Sequence, residues 1–262
     1  MLSSLKFRMR MLFKYKDLLV LLVQRDIKLK YRRSFLGYIW SVLNPLLSML
    51  VMVVVFSHMF SRNIENFPVY LICGNILFSF MRESSNQAMR SIVGNAALLK
   101  KVYVPKYIFT LSKVTSSLMN LVFSLGALLI VMVVTGAEFT WNCLLIAIPI
   151  LELYVFCVGL GLLLAASNVF FRDVGNIWNV VTLAWMYMTP IFYDINALDP
   201  VLQVWIPKLN PMYMYITQMR SFILGGAGGE LLILKGGLIS IIMLGFGLWI
   251  FAKTKNRFIL YI

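Results

Sequence analysis

QRDIKLKYRRSFLGYIWSVLNPL occupies residues 24–46. It begins as a basic amphipathic segment and ends inside an apolar run. With Ile27 at the centre of a helix face and about 100° per residue, Val20, Val23 and Tyr31 fall beside it. Arg25, Lys28 and Arg32 fall on the opposite side. Such a helix, residues 18–33, belongs in a membrane interface with its cations toward headgroups. Its apolar run 18–23 is too short to cross a bilayer. Gly37 relaxes the turn that follows, and from Tyr38 the chain reads as a span with a break at Asn44-Pro45.

Across the whole chain, 61% of the 262 residues are hydrophobic and only 13% are charged. A soluble domain carries about 25% charged residues. The chain is therefore expected to be an integral membrane protein of one domain. The net charge of +14 does not point to nucleic acid, because the cations sit in short segments between apolar runs. Cys73, Cys143 and Cys157 all lie in apolar stretches and are expected to be free thiols. The basic residues 1–17 are followed by no small-residue cleavage site, so the first span itself is expected to direct insertion.

Six spans are expected, at about 38–60, from 68 to beyond 90, 108–135, 141–166, 177–191 and 231–251. The second is unusual. Arg82, Glu83, Asn86, Gln87 and Arg90 continue its helical pattern, so it must line a cavity or pack inside a bundle. Residues 93–113 read as a short helix, a stop at Pro105 and a return to the membrane. Residues 194–230 are too polar to span and too apolar for a solvated loop. They are expected to form two short helices, 200–206 and 211–224, each with proline in its first turn. The fold is thus an all-α integral membrane fold: six transmembrane helices, an N-terminal amphipathic interfacial helix, and two short outer helices before the last span. The single domain divides into 1–37, 38–193, 194–230 and 231–262. The cation bias places both termini in the cytoplasm. No internal repeat is visible.

The chemistry of an enzyme is missing. No GxxxxGK[ST] phosphate loop occurs. His58 stands alone, so no metal site is expected. Asp194 and Asp199 fall in an outer loop, where acids are usually solvated. Glu83 and Glu152 are the intramembrane acids. A proton-coupled carrier would use such groups, but pairing with Arg82, Arg90 or polar neighbours, or a place at a cavity edge, is the preferred reading. The aromatic residues Tyr38, Trp40, Trp178, Trp185, Tyr187 and Tyr193 suit stacking on sugar rings, and equally suit interfacial belts and packing.

The order of motifs resembles the permease subunit of polysaccharide-exporting ABC transporters, the type-2 ABC-exporter permease family. RDIKLKYRRSFLGYIWSVLNPL is followed by GNILFSF (74–80), VGNAALLKKVYVPK (93–106), NVFFRDVGN (168–176), TPIFY (189–193), LNPMYMYI (209–216) and a terminal RF (257–258). The likeness runs over nearly the whole chain.

The resemblance implies a homodimer with two separate ATP-binding subunits, which carry the ATP and Mg. This chain holds no cofactor and is not itself the enzyme. The substrate implied is a polyprenyl-diphosphate-linked glycan such as O-antigen, capsule or teichoic acid, moved across a bacterial cytoplasmic (inner) membrane and met in membrane lipid. Residues 94–104 look like the coupling helix seated on the ATPase, through Gly94, Asn95, Leu99, Lys100, Lys101, Tyr103 and Pro105. Arg25, Lys28, Arg32 and Arg33 would meet the lipid diphosphate. Tyr38, Trp40, Trp185 and Tyr187 would line the glycan pathway. Pro200, Trp205, Pro211, Tyr213 and Tyr215 would belong to the outer gate helices. Competing readings are a drug or small-lipid exporter of the same superfamily, an integral membrane glycosyl- or acyltransferase, and a membrane scaffold. The LG-x2-W…NP motif argues against the first, absent carboxylate or histidine clusters against the second, and polar residues inside a span against the third.

With no phosphate-cradling loop, the purified chain is expected to hydrolyse no ATP by itself. Turnover by contaminant-free protein in a phosphate-release assay would contradict this.

Overall fold

The computed structural model describes residues 14–31, 36–60, 64, 66–101, 104–225 and 229–261. Every regular element among them is helical. Helix α1 is Lys16–Tyr31. A 3-10 turn, Gly37–Ile39, leads into α2, Trp40–Phe60. Helix α3 is Phe67–Met89, and two short helices follow, α4 (Ser91–Gly94) and α5 (Ala96–Lys101). Helix α6 is Tyr107–Thr135. The 3-10 turn Trp141–Ile146 opens α7, Ala147–Phe170, and α8 is Val174–Met188. Then come α9 (Pro200–Leu209), α10 (Pro211–Leu224), α11 (Gly229–Thr254) and a last 3-10 turn, Lys255–Leu260.

The joint between α1 and α2 turns on Gly37, whose φ of +50° lies in the left-handed region that side chains disfavour. The break expected at Asn44-Pro45 is absent, and α2 runs through it. Pro45 has no N–H to give the Ser41 carbonyl one turn back. The Ser124 hydroxyl of α6 donates to that carbonyl instead, at 3.3 Å. A neighbouring helix thus meets the group that the proline leaves open, as a membrane helix requires.

Helix α3 is central. Most of its residues are buried, and it packs on α2, α6, α7 and α10. The most extensive contact of the bundle is α7 against α11. Their backbones touch where Gly159 meets Gly247. A Cβ on Gly159 would strike the backbone of Met243 and Leu244, and one on Gly247 would strike the Gly159 carbonyl. Small residues permit such approach, and packing rather than hydrophobicity holds helices together in lipid.

Two apolar cores result. The larger surrounds α3 among α6, α7 and α10. The smaller joins Leu22 of α1, Ile92 and Leu99 of α4 and α5, Phe109 of α6, Val169 of α7, and Phe251 and Phe258 near the C-terminus. It marks the basic end of the molecule. The far end holds the 3-10 turn Trp141–Ile146 with α9 and α10.

Among the described residues, four helical stretches are long and apolar enough to cross a membrane: Gly37–Phe56, Tyr107–Thr135, Trp141–Phe170 and Leu232–Leu260. Two of the six expected spans do not meet that description. Helix α3 carries Arg82 and Glu83 in its C-terminal half. Helix α8 has 15 residues, roughly 23 Å, against about 30 Å of hydrocarbon.

Gly247→Ala should lower the thermal unfolding midpoint by roughly 5 °C through overpacking. Gly245→Ala, where a Cβ meets nothing within 4 Å, should leave it unchanged. Equal midpoints for the two variants would contradict the close α7–α11 approach.

Candidate functional site at the basic end

Between α3 and α6 the chain makes two short helices rather than a loop. Helix α4 stops at Asn95, whose side-chain amide donates back to the Ser91 carbonyl at 2.8 Å. Helix α5 restarts at once and divides its faces. Leu99 is buried in the smaller core, while Lys100 and Lys101 are exposed. A seated apolar residue thus fixes the helix, and two cations point outward from it. Beside it, Lys106 Nζ donates to the Lys255 carbonyl at 2.5 Å and lies 5.4 Å from the centre of the Phe258 ring. Burial, then the nearby Lys255 charge, holds the Lys106 ammonium below its ordinary pKa.

Helix α1 is fastened to this end by ion pairs. The Asp26 side chain is only 8% exposed. Its Oδ1 lies 3.1 Å from Arg25 Nη2. Its Oδ2 is met by the Lys113 ammonium of α6, 2.9 Å away. One turn on, Lys30 Nζ reaches Glu83 Oε1 of α3 at 2.8 Å. The same oxygen accepts from Gln87 Nε2 at 2.9 Å and Asn120 Nδ2 at 3.0 Å. Glu83 thus takes a cation from α1 and amides from α3 and α6. Of the partners expected for it, polar neighbours are correct, but the cation is Lys30 rather than Arg82 or Arg90, which are exposed.

The far end has its own polar node. Arg220 of α10 is 8% exposed. Its guanidinium donates to the carbonyls of Tyr70 (3.1 and 3.0 Å), Pro190 (2.7 Å) and Ile191 (3.0 Å). It also lies 3.3 Å from the centre of the Tyr70 ring. A Cβ on Gly74 would come within 2.9 Å of Arg220 Nη2, so the glycine makes room for it. Asn210 caps α10 by accepting from Met212 N at 3.0 Å, and donates to Thr189 Oγ1 at 2.9 Å. Nearby, Gln218 Nε2 donates to Glu152 Oε2 at 3.0 Å, a polar partner of the kind expected for this acid.

A family profile described as ABC-2 type transporter matches residues 17–224, from α1 to the end of α10. The chain belongs to the ABC-2 type transporter family. It is 34% identical over 213 residues to the O-antigen export system permease protein RfbA of Myxococcus xanthus, covering 81% of this chain and 82% of that protein. A second protein of that name, from Klebsiella pneumoniae, is 29% identical over 97% of each chain. The capsule polysaccharide export inner-membrane protein CtrC of Neisseria meningitidis is 26% identical over 74% of this chain and 76% of its own.

In this ABC-2 family member the expected site residues fall as follows. Arg25 and Lys28 are exposed on α1, with Arg25 beside Asp26. Arg32, Arg33 and Tyr103 lie outside the described residues. Tyr38 and Trp40 are exposed at the start of α2, the Tyr38 ring 6.1 Å from that of Phe123. Tyr187 is exposed on α8, whereas Trp185 packs against Trp178 and Phe156 and donates to Asn210 Oδ1 at 2.8 Å. Gly94 is exposed and Pro105 half-buried beside α5. On α9, Pro200 and Trp205 are exposed. On α10, Pro211 and Tyr213 are half-buried, while Tyr215 is fully buried and bonds Ser240 Oγ of α11 at 2.7 Å. Lys30, Lys113 and Arg220 are the residues that sequence reasoning passed over. The burying of Asp26 turns α1 from the expected face. Leu22 and Val23 are inward with it, and Val20 is exposed.

Lys113→Met should destabilise the protein by roughly 2 kcal/mol, less than a fully buried pair because Arg25 remains on Asp26. Adding Asp26→Asn should recover most of that loss. Additive losses in thermal unfolding would show that the pair does not hold α1.

Proposed function

We propose that this chain is the permease subunit of a polysaccharide exporter of the bacterial inner membrane. The observation that carries the reading is its likeness, over 97% of its length, to a protein named as an O-antigen export permease. In this reading the chain is a homodimer served by two ATP-binding subunits, and the cargo is a polyprenyl-diphosphate-linked glycan. The basic end faces the cytoplasm with both termini, and α3 and α8 complete six crossings. The partners that α1 and α6 give to Glu83 support α3 as a crossing, since its acid is paired with Lys30 and bonded by Asn120.

The residues divide the work. Arg25, Lys28, Arg32 and Arg33 stand where the diphosphate of the carrier lipid arrives, and a guanidinium binds phosphate bidentately. Tyr38, Trp40 and Tyr187 offer flat faces along the pathway. The segment 94–104 seats on the ATP-binding subunit through Lys100 and Lys101 of α5 and through Tyr103. Because Leu99 locks α5 into the core shared with α6 and α7, a push on it moves whole helices. Helices α9 and α10 gate the far end.

Deletion of the gene should abolish the host's surface glycan while lipid-linked glycan accumulates inside, and the wild-type gene should restore export. The triple variant Lys100→Ala, Lys101→Ala, Tyr103→Ala, inserted at normal level, should restore less than about a tenth of it. A deletion strain with unchanged surface glycan would overturn the reading; full restoration by the triple variant would overturn the role of α5.

A further inference from the structure

At the far end a cavity of ≈260 Å³ opens between α3, the turn after α8 and α10. Its walls include Tyr70, Asp194, Tyr213, Thr217, Arg220 and Ser221. It is smaller than the roughly 300–1,000 Å³ of pockets for drug-sized ligands, and so suits one ring rather than a chain. From this wall we infer that the cavity is a subsite for a single uncharged sugar ring. The inference rests on the export reading, which would place the cavity where the glycan emerges.

The chemistry of the wall is that of a polyol site. Tyr213 and Thr217 stand four residues apart, on one face of α10. Among the described residues, neither hydroxyl is hydrogen-bonded. Each can donate and accept, as a sugar hydroxyl can. Asp194 accepts from Asn196 N at 3.1 Å and from the Asn196 amide at 3.1 and 3.2 Å. A carboxylate has about four acceptor positions, so Asp194 retains capacity toward the cavity. The Tyr213 ring supplies apolar surface for the C–H face of a pyranose, while the Tyr70 ring already carries the Arg220 guanidinium on one face.

The charges select against an anionic ligand. Arg220 is turned onto three backbone carbonyls through four hydrogen bonds, so its guanidinium is largely used by the protein. Asp194 is the other charge on the wall, and a carboxylate or phosphate in the cavity would meet it as a like charge. The role of Arg220 is to hold the floor rigid: it fixes Tyr70 against the turn that carries Asp194. A preformed floor lowers the entropy lost when a ring is ordered on it.

The test is saturation-transfer NMR on the purified full chain in nanodiscs, with free glucose, galactose, mannose, rhamnose and N-acetylglucosamine at millimolar concentration. At least one sugar is expected to bind. The double variant Tyr213→Phe, Thr217→Val removes both hydroxyls with little change of shape and should weaken that binding about tenfold. Asp194→Asn, which can still accept from Asn196 N, should weaken it independently. No binding of any of the five sugars would overturn the subsite, as would unchanged binding by both variants when their unfolding midpoints match wild type. Sugar binding lost in the variants, in a chain whose deletion leaves the surface glycan intact, would uphold the subsite and remove the export reading alone.

Discussion

A carboxylate partway along a helix packed among apolar helices persists only if other side chains meet it. Glu83 is that group, and much of the basic end follows from its solution. Its oxygen takes a lysine from α1, a glutamine from its own helix and an asparagine from α6. Asp26 repeats the arrangement one turn away, buried against Lys113. These contacts draw α1 onto the bundle, and Leu22 then enters the core that also seats Leu99 of α5. Polar pairing and apolar burial here support each other. The ion pairs orient α1, and the Asp26 side chain, 8% exposed, is the one of their groups that is shielded from water.

The same constraint acts at the other end of α3. Arg220 finds no carboxylate within ion-pair distance among the described residues and is satisfied by carbonyls of Tyr70, Pro190 and Ile191. Tyr70 and Glu83 are about 20 Å apart along the helix. Helix α3 is therefore a rod held at both ends by discrete bonds. Such an element moves as a body rather than bending continuously. It links the short helices α4 and α5 to the turn beneath α10. The Gly159–Gly247 contact holds α7 to α11 beside it. Under the proposed function, these elements would join the end that meets an ATP-binding partner with the end where the cargo leaves.

Much of this was legible in the sequence, because hydrophobic runs and punctuation by glycine and proline are local signals. Helix α1, most helix positions and the two short helices before α11 follow from them. The division of α5 into Leu99 inward and two lysines outward was not legible, since six residues carry too little periodicity. Pro45 misled for a different reason: its cost depends on whether a neighbour can serve the abandoned carbonyl, and Ser124 lies 83 residues away in sequence. Asp26 and Lys30 drew no reading because their partners, Lys113 and Glu83, are distant in the chain. Arg220 drew none either. A buried guanidinium satisfied by backbone leaves no partner residue to find. Its traces are Gly74 and the TPIFY turn, both noticed as motifs without a physical reason. The family resemblance carried the functional expectation, and it carried no geometry.

Under the proposed function, this permease moves a lipid-linked glycan under power from a separate ATP-binding subunit. The most direct measurement is ATP hydrolysis by the two subunits purified together and reconstituted in nanodiscs, with and without the host's polyprenyl-diphosphate-linked glycan. A severalfold rise in hydrolysis is expected with that glycan, and none with the same lipid carrier lacking sugars. A rate that ignores the lipid-linked glycan yet rises with small amphiphilic drugs would contradict it.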